Sequence, residues 1–132
     1  MNDELSEPLK MELLAASLRA DYTDTQAFLE ALAVKLQGSL PDHTTVKRHG
    51  SLFSREHPVK EITVVLGGNR YRINWEGQGP LLAQRVTVVR GIALKTEQIS
   101  VDQWIEELAG ALAAFAAQNA NAYAALNRFL LQ

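Results

Sequence analysis

Three histidines, His43, His49 and His57, fall within a stretch of fifteen residues, with Asp42 and Glu56 beside them. Imidazole and carboxylate groups hold borderline metals, and histidine is the usual proton carrier near neutral pH. The spacing argues against both uses. Five and seven residues intervene between successive histidines, which matches neither the i, i+4 pair of a helical metal site nor a short strand site. We read them as exposed loop histidines. A histidine-centred enzyme would need His49 and His57 to converge with an acid in one pocket.

Other catalytic chemistry lacks its parts. The chain has no cysteine, which removes thiolate nucleophiles, disulfides and cysteine zinc sites together. Gly67-Gly68 and Gly77-Gln78-Gly79 sit beside strand patterns rather than between a strand and a helix, so they read as turns and not as phosphate cradles. No Gly-x-Ser-x-Gly elbow, phosphate-loop lysine or paired His-Glu helix motif occurs. The expectation is a non-enzyme without metal or cofactor.

Arg70, Arg72 and Arg85 form a candidate anion-binding face. Each occupies a position that strand alternation places outward, with Lys47 or Arg48 added from a neighbouring strand. Guanidinium groups held on a sheet suit phosphates or carboxylates. An antiparallel sheet with one buried face must also place polar residues on the other, and arginine serves there without any ligand. The same alternation turns Tyr71 and Trp75 inward, so the face offers bases no stacking platform. With a net charge of −2, nucleic acid is disfavoured as a partner.

These side chains need a scaffold, and the hydrophobic periods supply one. Leu9, Leu13, Leu14 and Leu18 mark a first helix over residues 7–20, with Pro8 in its first turn. Thr23 to Gln26 spell a capping box before Phe28, Leu29, Leu32 and Leu36, with Gly38 as the stop. From Thr44 the period becomes two. Thr44 to His49 reads as a short strand, and Ile62, Val64 and Leu66 alternate with polar neighbours, as do Tyr71, Ile73 and Trp75. A Gly68-Asn69 turn would pair Leu66 with Tyr71, Val64 with Ile73 and Ile62 with Trp75. Gly77 to Pro80 turns the chain into Leu82 to Val89, with Val86 and Val88 facing in and Arg85 and Thr87 facing out. Ile92 to Lys95 is either a fifth strand or the fourth continued past a bulge at Arg90-Gly91.

Ser100-Val101-Asp102-Gln103 opens the last helix, which meets no proline before Gln132. Trp104, in its first turns, reads as a core anchor whose ring N–H meets a backbone carbonyl or water. Val101, Ile105, Leu108, Leu112, Phe115, Asn119, Ala122, Leu126 and Phe129 recur at alternating spacings of four and three, a heptad seam with Asn119 at an a position. Over residues 101–131 such a helix would run about 46 Å and overhang a four-stranded sheet of about 19 Å. Leu108, Leu112, Phe115, Asn119, Ala122, Leu126 and Phe129 are therefore a candidate dimer seam. Packing within the chain fits the same stripe.

The fold class is α+β: N-terminal helices over 1–43, a four- or five-stranded antiparallel meander over 44–95, and a long C-terminal helix over 100–131 on one sheet face. The 132 residues suit a single domain able to bury roughly two-thirds of its unfolded surface. Charge follows this order: residues 1–43 hold three basic and eight acidic side chains, 44–95 nine and three, 96–132 one and four. The acidic start and the absence of a long apolar run point to a cytoplasmic protein with no membrane partner. The expected function is a small non-catalytic interaction or adaptor module, a homodimer whose partner is itself or a further protein. The alternative is an anion- or nucleic-acid-binding protein using the arginine face.

Overall fold

Polar residues at two points in the chain close the open donors of a helix start, and a helix begins at each. The computed structural model describes residue 16, residues 24–50, 57–118 and 129–130. Helix α1, Thr25–Ser39, opens where Asp24 accepts from the Ala27 amide at 2.9 Å. The cap is thus one residue later than Thr23, the position the box spelling nominates. Helix α2, Val101–Ala116, opens at the predicted Ser100, whose hydroxyl accepts from Gln103 N–H at 3.0 Å. The helix predicted over 7–20 lies outside the described residues except for Ala16, which is helical.

Between the helices run five strands, β1 (Thr44–Arg48), β2 (Val59–Leu66), β3 (Asn69–Asn74), β4 (Leu82–Val89) and β5 (Ile92–Ile99), in the spatial order β1-β2-β3-β4-β5. Every neighbouring pair is antiparallel. The alternatives for residues 92–95 resolve to a separate, longer fifth strand. Arg90 at φ +53° and Gly91 at φ +81° make a tight two-residue turn with both φ values positive, the geometry that matches the strands' own twist.

The β2–β3 turn corrects the predicted register. Gly67 and Gly68 take the two positive-φ positions, at +55° and +81°, and Asn69 already belongs to β3. Leu66 pairs with Asn69, Val64 with Tyr71 and Ile62 with Ile73, a slip of two residues from the pairing predicted on Gly68-Asn69. Two glycines bear positive φ with less strain than glycine and asparagine. Because the side-chain period is two, a slip of two leaves every residue on its predicted face.

Both helices cover one face. Ile62, Val64, Leu66, Tyr71, Ile73 and Ala83 meet Phe28, Leu29, Leu32 and Leu36 of α1 and Trp104, Ile105, Leu108 and Leu112 of α2 in one continuous core. Trp104 is the anchor expected, but its ring nitrogen has no hydrogen-bond acceptor among the described residues. A buried N–H of this kind costs about 1–3 kcal/mol, which the burial of so large a ring outweighs. No described helix is long and apolar enough to cross a membrane.

Helix α2 closes at Ala116, short of the predicted end at Leu131; of the residues described beyond Gln118, Phe129 and Leu130 are helical. Its last turn tightens: Ala117 N–H reaches Ala113 at 3.0 Å and Gln118 N–H reaches Phe115 at 3.1 Å. Alanine-rich sequence favours helix but does not by itself fix where one ends, and Gln118 is where a polar residue enters the apolar run.

Candidate functional site

The histidines act as ties to backbone. His43 Nδ1 lies 3.0 Å from the Val65 carbonyl, and its ring stands edge-on to Phe115 at 4.9 Å between centroids. His49 Nε2 lies 2.8 Å from the Trp75 carbonyl. Trp75 in turn donates its indole N–H to Gly79 at 3.0 Å and its amide to Lys60 at 2.8 Å. His57 Nδ1 lies 3.2 Å from the His49 carbonyl. His43 and His49 are half-buried rather than exposed. His49 and His57 do approach, but among the described residues no acid is seen to join them and no three His, Asp or Glu gather into a metal-sized cluster.

The arginine face divides. Strand register puts Arg85 opposite Tyr71 and Glu97, and Tyr71 belongs to the core, so Arg85 stands on the helix-bearing face, contrary to the sequence reading. There its Nη1 donates to both carboxylate oxygens of Glu107 on α2, and its Nη2 donates to Glu97 on β5 at 3.0 Å. Gln103 of α2 adds a 2.9 Å bond to Glu107. The Glu107 hydrogen bond is the main reason the guanidinium holds its proton more tightly than usual. Glu97 is held below the usual carboxylate range, by Lys95 first and then by Arg85. Burial raises the Tyr71 phenol above its ordinary value, and the charge of Glu107 raises it further.

Arg70 and Arg72 do sit on the opposite face, in line with Val65, Thr63, Val86 and Gln84. Glu61 shares that face and draws Lys47 to 3.6 Å and Arg72 to 3.9 Å, while Arg72 Nη1 reaches Gln84 at 3.4 Å. Arg48, set past a bulge in β1, leaves the face and pairs with Glu30 of α1 at 2.9 Å. Val86, read as inward, is on this face and only 2% exposed. The reversal in β4 is physical: β-branched residues mark both faces of that strand, and the acid that lets Arg85 face the core lies 22 residues away in sequence.

The seam residues also divide. Leu108, Leu112 and Phe129 are buried in the chain's own core, and Phe115 packs partly against it. Asn119, Ala122 and Leu126 lie outside the described residues. At 16 residues, α2 is about 24 Å long, so the overhang inferred for a 31-residue helix does not arise for it.

The surface that the sequence reading missed is the outer edge of the sheet. Val89, Ile92 and Leu94 are 47%, 63% and 64% exposed and cluster at the β4–β5 hairpin end. β5 is an eight-residue strand paired on one side only among the described residues. The available signal was Arg90-Gly91, read as an interruption where it is a hairpin turn. Comparison with known protein families, curated proteins and solved structures yields no match to this chain.

Proposed function

We propose that this chain is a small non-catalytic interaction module that works as a homodimer. The observation that supports this reading is the join, at β5, between a strand edge left open among the described residues and exposed apolar side chains. An edge strand offers a row of free N–H and C=O groups, and proteins that do not use such an edge shorten, charge or cover it. β1, the other edge, is five residues long and fixed by Arg48 to α1. β5 is longer and, although it carries Lys95 and Glu97, it also holds Ile92 and Leu94, large apolar residues that solvent does not favour. The anion-binding alternative loses support: Arg85 is engaged on the other face, and Arg72 and Lys47 share Glu61.

Light scattering on the purified chain at micromolar concentration tests the reading. A mass twice 14.6 kDa, insensitive to moderate salt, is expected; a mass of 14.6 kDa at every concentration refutes it.

A further inference from the structure

Resting on the homodimer reading, we infer that two copies pair through their β5 strands, antiparallel about a two-fold axis at Thr96, so that two five-stranded sheets become one of ten. Three observations converge on that register.

The first is which backbone groups are free. Val88 N–H bonds to the Gly68 carbonyl at 2.9 Å, so the main-chain groups of Val88 and Val86 point toward β3. Those of Arg85 and Thr87 then point toward β5, since antiparallel strands alternate the direction of their polar groups. Their partners Glu97 and Lys95 point back to β4. Thr96 and Gln98 are left with N–H and C=O directed away from the sheet. A two-fold axis at Thr96 lets each copy's Thr96 N–H donate to the other's Thr96 carbonyl, forming a mutual hydrogen-bonded pair.

The second is charge. With the axis at Thr96, Lys95 of one copy stands opposite Glu97 of the other, and Glu97 opposite Lys95, in the closely spaced non-hydrogen-bonded pairs where side chains interact most. Both lie on the same face, in register with Thr87 and Arg85. An axis at Lys95 would set lysine against lysine, and one at Glu97 glutamate against glutamate. An axis one residue off also exchanges which backbone groups meet, so main chain and charge choose the same centre.

The third is apolar exposure. The β4–β5 ladder shifts register between Thr87 and Val88 and leaves Leu94 as the extra residue of a bulge. The regular pairing is therefore centred on 95–97, and Leu94, 64% exposed, stands at its end, where Gln98 of the other copy approaches with its aliphatic stem. A second copy fits this edge better than an unrelated peptide because the charge pattern complements itself.

The test is sedimentation equilibrium on the full chain, with Thr96→Pro and Lys95→Glu beside wild type and Lys47→Glu on the opposite edge as control. Proline at Thr96 removes an outward N–H and leaves the β4–β5 bonds in place, and circular dichroism verifies the fold. Wild type and Lys47→Glu at twice 14.6 kDa, with both β5 variants at half that mass, supports the inference. A dimeric Thr96→Pro variant overturns edge pairing while leaving the homodimer reading intact. A dimeric Lys95→Glu variant with a monomeric Thr96→Pro variant overturns the Thr96 register alone. Monomeric wild type overturns both this inference and the reading on which it rests.

Discussion

Replacing Arg85 with glutamine separates the two faces of the sheet in one measurement. The side chain is 22% exposed, its partners Glu107 and Glu97 25% and 36%. Fully exposed ion pairs contribute roughly 0.2–1 kcal/mol, and hydrogen bonds to charged groups roughly 1.5–3 kcal/mol. Most of the Arg85 and Glu107 surfaces are removed from water, and one guanidinium serves two carboxylates on different elements, so the loss falls between these limits. We expect Arg85→Gln to lower the unfolding free energy by about 1–3 kcal/mol in urea titrations. Arg70→Gln, on the opposite face and with no ion-pair partner among the described residues, should stay within about 0.5 kcal/mol of wild type. A double-mutant cycle with Glu107→Gln should return a coupling of about 1 kcal/mol. Equal, near-zero effects of Arg85→Gln and Arg70→Gln would show that Arg85 faces solvent and that the β4 register is in error.

Two further outcomes follow from the core. Ile73, fully buried between Ile62 and Ala83, should cost about 2–5 kcal/mol when changed to alanine; a urea-derived loss below about 1 kcal/mol would contradict its inward placement. Tyr71, whose phenol is held above its ordinary value mainly by burial, binds its proton more tightly folded than unfolded. Its contribution is therefore complete below the unfolded pKa and is lost as pH rises through the folded one. Alkaline titration of phenolate absorbance should show a late component that Tyr71→Phe removes; an unchanged titration in that variant refutes the assignment.

How much of this was legible depended on whether a residue's partner was near in sequence. Ser100 and Gln103 specify their own cap, and Ile62, Val64, Tyr71 and Ile73 declare their face by period alone, so the α+β order and the inner face could be read directly. Turn position was legible only to within two residues, because Gly67, Gly68 and Asn69 all tolerate positive φ and alternation does not distinguish slips of two. The facing of β4 was not legible. Valines on both sides erase the period, and Arg85 is inward only because Glu107 waits on a helix that the local sequence does not mention. The end of α2 was hidden for the converse reason: alanines at nearly every position carry helix propensity without marking where packing stops. The β5 edge was missed because a charged Lys95-Thr96-Glu97 segment reads as solvent-facing, whether or not a second strand lies beyond it.

The meander order sets which parts of the sheet hold together longest. Two ladders close over two residues each, Gly67-Gly68 and Arg90-Gly91, whereas β1 reaches β2 across residues 49–58. Closing ten residues rather than two costs about 1.4 kcal/mol more in chain entropy. β1 gains back only five residues of pairing, and its ladder breaks register at Arg48. The sheet is therefore polarised, with β1 the strand that opens first and β5 fastened to β4 by a tight turn and by Glu97 on Arg85. Amide exchange should be faster in β1 than along the β4-facing amides of β5, Lys95 and Glu97, and the reverse order would contradict this ranking. The edge offered to a second copy is thus the persistent one, and pairing there does not first require any strand to be put back in place.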